Sequence, residues 1–580
     1  MDLLTSNPIA SLAAVTTAAA YLDAKFCFSR DLREIRQGRD FGRRLGQRIQ
    51  QLGDVCSMYG IFDKYRGKDG DDAIWFEGRT ISYGELKRDV DRLAGLLHAR
   101  GVAAGDFVAV FTSNSPEMAI VILAISKLGA VAALINTNLR HTTLAHSLNI
   151  CTPVLIISTP DLAAHIDSNV PHLTLNLSSF DGTATTTTST ITPIGPGDLK
   201  AASFTSLPPA KRTLSDGALL IYTSGTTGLP KACFIKNMQL CLTSTPVPAD
   251  HDNRAKYFPL RTYSPLPLFH GTAIFGGLTY SVGNGGTLCL ARKFSASNYF
   301  KDATLSRANC VLYIGELCRY LLASSPSPYD RAHAITRAYG NGLRGDIWDP
   351  FKTRFGINEI REFYRSTEGL AKFDNFGDGA WGAGKLGFAG PLRRWFENMT
   401  FIVKFDTDTQ LPIRDPKTGF CVKIRPGEEG EVIGRVVNRA TMSNYLRDDG
   451  ATEKKLIRDV FEKGDLFQRM GDLVVLERDG WVRFHDRIGD TFRWKGENVS
   501  AGEVRDHISA IQGVLDAIVF GIKLASYDGQ AGAACIVLKS QDPSARESFI
   551  RSLHSNLVFK GVPSYAIPRL VRITDSPLLA

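Results

Sequence analysis

Six consecutive residues, Thr223 to Gly228, carry either a hydroxyl or no side chain at all, and Lys231 follows shortly after them. The stretch reads LLIYTSGTTGLPK from Leu219 to Lys231. Its residue types suit a polyphosphate. Gly225 and Gly228 permit positive φ and close approach of the backbone, and successive N–H groups there form an anion-binding nest. Thr223, Ser224, Thr226 and Thr227 add hydroxyls, and Lys231 adds a point charge. The spacing is not that of G-x-x-x-x-G-K-[ST], because Lys231 follows Pro230 and precedes Ala232.

Other residues could complete such a site. The run Glu362–Gly369, EFYRSTEG, offers Tyr364 as a flat face for a purine, Thr367 as a hydroxyl for a phosphate, and Glu368 as a hard oxygen ligand. Magnesium takes one or two carboxylates together with phosphate oxygens, so Glu368 is a candidate ligand. Asp472, read as lying in a turn before a strand, can accept both hydroxyls of a ribose. His270 follows an apolar Pro-Leu-Pro-Leu-Phe run and precedes Gly271, where a side chain can face a pocket; a lone histidine is more often structural. Residues Phe484–Ser500 mix Arg487, Arg493 and Lys495 with Gly489 and Gly496. That mixture suits either a solvated turn or a hinge that carries cations to a nucleotide.

These residues need rigid elements to hold them. Leu219–Tyr222 is an apolar, β-prone run ahead of the hydroxyl-rich loop. Ser82 is placed to cap a helix whose apolar face is Leu86, Val90, Leu93, Leu96 and Leu97. Phe107–Thr112 and Val154–Ser158 read as buried strands. Pro116–Leu134 reads as a core helix and then a strand, divided at Gly129, despite an apolar length that approaches a membrane span. Alternating helix and buried strand predicts an α/β fold with parallel sheets. Thr183–Gly197, of low complexity, reads as a solvent loop or an insertion ahead of the Leu219–Tyr222 strand.

The chain has 580 residues, 44% hydrophobic and 22% charged, too many for a single domain. Part of its net charge of +9 is concentrated in Arg33, Arg36, Arg39, Arg43, Arg44 and Arg48. Apart from Phe41, aromatics are not interleaved with these arginines as in single-strand binders, which discounts nucleic acid as a partner. Residues 8–22 lack charge but fall short of the roughly 20 residues a span requires. A helix that dips into or marginally spans a membrane, a soluble alanine-rich helix and a secretory signal all remain readings of this segment. The downstream arginines favour a membrane surface. The ten cysteines are scattered without C-x-x-C spacing, as in a reduced intracellular protein. The eleven histidines show no metal-binding spacing.

Taken together, YTSGTTGLPK, YIGELCRY, YGNGLR, EFYRSTEG and DRIGDTFRWKGENVS resemble the fatty acid transport protein and very-long-chain acyl-CoA synthetase branch of the adenylate-forming enzymes. The resemblance implies a large AMP-binding domain at 56–486 and a small mobile α+β domain at 487–580. A membrane-associating helix and basic stripe would occupy residues 1–55. It implies that Thr223, Ser224, Gly225, Thr226, Thr227, Gly228 and Lys231 hold the triphosphate of ATP, with Thr223 near the metal. Gly340, Asn341, Gly342, Glu362 and Tyr364 would surround adenine, and Thr367 would contact the α-phosphate. Glu368 would hold Mg²⁺, and Asp472 and Arg487 would fix the ribose. His270 would line the carboxylate end of the acyl site. Arg493, Lys495 and Glu497 would swing in for thioester formation with CoA. The implied substrate is a long- or very-long-chain fatty acid. The implied location is an intracellular membrane: endoplasmic reticulum, peroxisome, lipid droplet or plasma membrane.

Two departures qualify the resemblance. Arg365 stands where many relatives have Gly or Ala, which alters access to an acyl pocket. The family continues beyond a motif like Tyr565–Arg569 into a T-G-T-x-K-x-x-K segment, whereas this sequence stops at Ala580. On that reading the small domain is incomplete and adenylation is weakened by a factor of order 10² or more, unless the sequence is cut short of its natural end. A fatty-acid uptake or binding protein with weak ligase activity, and a ligase serving a specialised biosynthetic pathway, are the alternatives that follow.

Overall fold

The computed structural model describes residues 8–175, 191–194, 207–223, 229–376, 379–407, 409–488, 491–494, 497–524 and 530–575. The chain divides into two compact units that interleave along the sequence. One comprises Met1–Leu370, Asp374–Ala383 and Val436–Lys455; the other comprises Ala371–Phe373, Gly384–Arg435 and Leu456–Ala580.

At the centre of the first unit lies a sheet of eight strands among the described residues, in the order Asn444–Tyr445, Lys231–Lys236, Gly217–Thr223, Val131–Leu134, Phe107–Phe111, Leu155–Ser158, His172–Leu175 and Ile191–Ile194. Pairing is parallel from Gly217–Thr223 onward, with Leu219 opposite Ala132 and Val108 opposite Ala132. It is antiparallel at the opposite edge, where Thr223 faces Lys231 and Cys233 faces Tyr445. The central strands are apolar and buried throughout, as a parallel sheet covered on both faces requires. Strand Ile191–Ile194 overturns part of the solvent-loop reading: its Ile-Thr-Pro-Ile backbone pairs with His172–Leu175 at the sheet edge, where a proline costs least. The remainder of 183–197 lies outside the described residues.

A second, mostly parallel sheet of this unit orders Glu359–Tyr364, Arg337–Asn341, Cys310–Ile314, Arg261–Ser264, Thr287–Leu290, Asp72–Phe76 and Arg79–Ser82. Helix Tyr83–Ala99 begins with a full capping box: Ser82 accepts from the Glu85 N–H while the Glu85 carboxylate accepts from the Ser82 N–H. Its Leu86, Val90, Leu93 and Leu97 are completely buried, each contributing roughly 1.5–3 kcal/mol of burial. The apolar stretch from Pro116 divides as read: helix Pro116–Lys127, capped by Ser115, then strand Val131–Leu134.

The N-terminal segment forms helix Pro8–Phe26, followed by Phe28–Leu52. Among the described residues no helix is long and apolar enough to cross a membrane. The arginine stripe is shorter than its sequence. Arg33, Arg36, Arg39 and Arg43 are exposed, but Arg48 is buried, donating to the Gly283 carbonyl at 2.9 Å with its guanidinium 3.8 Å from the Tyr65 ring centre. None of the cysteines is in a disulfide, and most are buried.

The second unit holds an antiparallel sheet, Gly387–Phe388, Trp481–Arg487, Leu466–Leu476, Glu429–Arg435 and Thr400–Val403, with Leu456–Arg458 also paired to Leu466–Leu476. Near its C-terminal end Val514–Ile522, Ala531–Leu538 and Leu570–Thr574 form a small sheet packed by helices Ala501–Ser509 and Pro543–Phe559.

Candidate functional site

The strand Gly217–Thr223 delivers Thr223 to the start of the hydroxyl-rich loop, and Lys231 opens the returning strand directly opposite it. Ser224, Gly225, Thr226, Thr227 and Gly228 lie outside the described residues. Around the two flanks of that loop the first unit assembles a charged cluster. Glu368, 7% exposed, accepts the Tyr445 hydroxyl at 2.8 Å and forms an ion pair with Lys455 through the same oxygen, Oε1. Thr223 faces Lys231 across the ladder. Lys231 Nζ lies 5.5 Å from the Tyr445 ring centre and 3.8 Å from Asp448. Burial pushes the Glu368 carboxyl pKa up, but Lys455 and Tyr445 outweigh it and hold the group below the usual carboxylate range. Glu368 is therefore anionic at neutral pH.

Lys231 and Glu368, both singled out in the sequence, thus stand around one tyrosine, with Thr223 opposite Lys231 in the sheet. The three that bind them together, Tyr445, Asp448 and Lys455, were missed. Tyr445 belongs to a two-residue strand, and its pairing to the edge of the sheet is what brings it in. Asp448 caps helix Asp449–Lys454 by accepting from the Ala451 N–H at 2.9 Å, and Lys455 follows that helix. The Asp-Asp-Gly-Ala-Thr cap signature in residues 448–452 was the available signal.

A second group of expected residues also comes together in this unit. His270 and Gly271 lead into the π-helix Thr272–Thr279, a geometry frequent at functional sites. A Cβ on Gly271 would lie 3.7 Å from the Thr367 hydroxyl, and the Thr272 hydroxyl approaches Asn341 Oδ1 at 3.5 Å. His270 is exposed, yet burial pulls its pKa below the ordinary value. Both facts describe a ring crowded by protein and still reached by water, and its imidazole is neutral at pH 7.

The Gly340–Gly342 turn is built on Glu362. That carboxylate accepts N–H groups from Gly342 at 2.9 Å and Leu343 at 2.7 Å, and the Tyr313 hydroxyl at 2.7 Å. Gly340 leaves no room for a side chain, since a Cβ there would fall 2.2 Å from the Tyr313 carbonyl oxygen, and Gly342 has φ +79°. Burial raises the Glu362 pKa to about 8, with the three donors opposing the rise. Glu362 thus holds the shape of the turn from beneath, and Tyr364 at the end of its strand is buried. Arg365 is bound by Asp374 through both oxygens, at 2.9 and 3.2 Å.

The second unit carries the remaining predicted contacts. Asp472 lies inside the long strand Leu466–Leu476, not in a turn before one, because the buried run Phe467, Met470, Leu473, Val474 and Leu476 carries the pairing through it. It pairs with Arg487 across the ladder, with Nε to Oδ1 at 3.7 Å; the Arg487 side chain is largely exposed. Lys495, Gly489 and Gly496 lie outside the described residues, as do the side chains of Arg493 and Glu497.

No group of three or more His, Cys, Asp or Glu capable of holding a metal occurs among the described residues. Magnesium does not need one: a single carboxylate completed by phosphate oxygens suffices, and Glu368 already balances a cation in Lys455. The donor set fits that ion.

Residues 62–446 match the family described as AMP-binding enzyme. The chain belongs to that family. Among curated relatives of this AMP-binding enzyme is Isopenicillin N epimerase component 1 of Hapsidospora chrysogena, 33% identical over 97% of this chain and 86% of that protein. Long-chain fatty acid transport protein 2 of Rattus norvegicus is 34% identical over 87% of this chain and 80% of its own length. Medium/long-chain-fatty-acid–CoA ligase FadD6 of Mycobacterium tuberculosis is 34% identical over 90% of this chain and 83% of its own. The AMP-binding enzyme described here therefore lies in the branch of fatty acid transport proteins and fatty-acid–CoA ligases and has the adenylate-forming fold, a large domain of mixed sheets and helices followed by a small C-terminal one.

Proposed function

We propose that this enzyme converts a long- or very-long-chain fatty acid to its CoA thioester through an acyl-adenylate, at a membrane surface. The observation that carries the reading is the Glu368, Tyr445 and Lys231 cluster, with Thr223 opposite Lys231, flanking the hydroxyl-rich loop. A carboxylate oxygen of the acid attacks the α-phosphorus of ATP. The bond from α-phosphorus to the bridging oxygen breaks, and pyrophosphate leaves. The CoA sulfur then attacks the acyl carbon, and AMP leaves with the electrons of the carbon–oxygen bond.

Each residue has a place in that scheme. Thr223 to Gly228 and Lys231 cradle the β- and γ-phosphates and stabilise the charge gathering on pyrophosphate. Glu368 would hold Mg²⁺, which when bound offsets charge on the phosphate oxygens. Thr367 contacts the α-phosphate beside Gly271, and neutral His270 donates to the acid without adding a charge. The Gly340–Gly342 turn and Tyr364 bound adenine; Asp472 and Arg487 take the ribose. Residues 487–580 rotate about Gly489 between the half-reactions and bring Arg493, Lys495 and Glu497 to the thioester step. Exposed Leu12, Val15, Tyr21 and Leu22 on the first helix, with Arg33, Arg36, Arg39 and Arg43 on the second, suit an anionic bilayer surface.

A second reading concerns the acid alone. The Arg365–Asp374 pair and the relative named for isopenicillin N epimerisation favour a functionalised acid from a specialised pathway. A panel of acids from medium to very long chain, plain and ω-carboxylated, decides between them by AMP release. A maximum on plain long chains supports the fatty-acid reading, and a maximum on the functionalised acids refutes it. With the best acid, Glu368→Gln lowers kcat/KM by ~10²-fold or more, as loss of one aligned electrostatic group at the reacting phosphate does. Retained activity would remove Glu368 from the nucleotide site.

A further inference from the structure

Lys455 has no place in the scheme above, yet it forms the ion pair of Glu368. The two groups share the oxygen that also takes the Tyr445 hydroxyl. Lys455 approaches from the end of helix Asp449–Lys454, with its ammonium 5.7 Å from the Tyr445 ring centre; Lys231 lies 5.5 Å from the same centre. One ring therefore carries an ammonium contact from each of two lysines, one belonging to the hydroxyl-rich loop and one belonging to the carboxylate. A carboxylate as buried as Glu368 is costly without a cation beside it.

We infer that Lys455 is the resident counter-cation of Glu368: it balances that carboxylate before nucleotide binds and yields it to the divalent ion that arrives with ATP. The inference rests on the reading of Glu368 as the carboxylate that meets magnesium. An ammonium and a divalent cation on one carboxylate oxygen repel, so the lysine must move aside. A lysine can do so, because its charge sits on a flexible four-carbon stem with three rotatable donors. The incoming polyphosphate supplies the acceptors it turns to. Lys455 thereby suppresses metal binding without nucleotide and contributes to phosphate binding with it, which makes it a positioning residue for the nucleotide–metal pair.

Mn²⁺ binding to the full chain without nucleotide, read by the electron paramagnetic resonance of the free ion, tests this. Lys455→Met should tighten Mn²⁺ by ~10-fold or more, since a competing unit charge is removed from the site. Adding Glu368→Gln should abolish the gain. ATP binding in EDTA should weaken in Lys455→Met. Lys455→Arg offers a check independent of the folding of the methionine variant: a bidentate guanidinium holds Glu368 more firmly, so Mn²⁺·ATP should bind several-fold more weakly while ATP alone is retained. Equal Mn²⁺ affinity in wild type and Lys455→Met, a gain that survives Glu368→Gln, or unchanged Mn²⁺·ATP affinity in Lys455→Arg would overturn the inference. Adenylate formation by the wild type is scored separately. Its absence refutes the ligase reading, whereas intact adenylation with any of those three results refutes only the role of Lys455.

Discussion

Glu362 receives two backbone N–H groups and one hydroxyl, and burial still lifts its pKa to about 8. The fold thus favours its protonated form relative to the unfolded chain, whose glutamate ionises near 4.5. The sign follows: the stabilisation is present in full below about 4.5 and fades as pH rises through about 8. Glu362→Gln cannot ionise, so thermal unfolding of that variant should lose the wild-type decline between those pH values. Its Tm should also be lower throughout, because the amide NH₂ meets a backbone donor. A decline that persists in the variant would assign it to another group. Residue types alone singled out Thr223, Lys231, Thr367 and Glu368, since each offers a chemistry that phosphate or metal requires. Glu362 was legible by motif only. That its oxygens serve the turn depends on the pairing of Gly340 with Glu362 in neighbouring parallel strands, which no local pattern encodes. Tyr445 and Lys455 reach the site through a two-residue strand, too short for any periodicity to announce.

Among the elements, buried strands and capped helices were the readable part. Ser82 with Glu85, Ser115 with Pro116, and the division at Gly129 all follow local rules that tertiary contacts did not override. The arginine stripe failed at Arg48 because helix Phe28–Leu52 turns that end inward onto Gly283 and Tyr65. A polar lock was invisible for the same reason, its members being far apart in sequence. Asp250, on the short helix Pro248–Asp252, is buried between Arg337 and Arg361, takes the Tyr280 hydroxyl at 2.6 Å, and bonds Arg361 at 2.6 Å. Both guanidinium groups also stand over the Tyr257 ring, at 4.6 and 4.7 Å. Removing one partner of such a set leaves buried charge uncompensated, so Asp250→Ala should cost about 3–5 kcal/mol. Urea unfolding followed by a probe in the first unit measures it. A loss under about 1 kcal/mol would show that water reaches the arginines and replaces the carboxylate.

For the whole molecule, the two interleaved compact units make a single unfolding transition an unsafe assumption, so stability is best compared within one unit. Glu368 and Lys231 belong to one unit, and Asp472 and Arg487 to the other. The central claim is that these residues serve ATP-dependent acyl activation. The most direct measurement incubates the full chain with a radiolabelled long-chain acid, CoA and Mg²⁺, with and without ATP, and follows acyl-CoA, AMP and pyrophosphate together. The account predicts acyl-CoA only when ATP is present, with AMP and pyrophosphate released in equal amounts to it. Tight ATP binding without thioester, or release of ADP and phosphate in place of AMP and pyrophosphate, would contradict it.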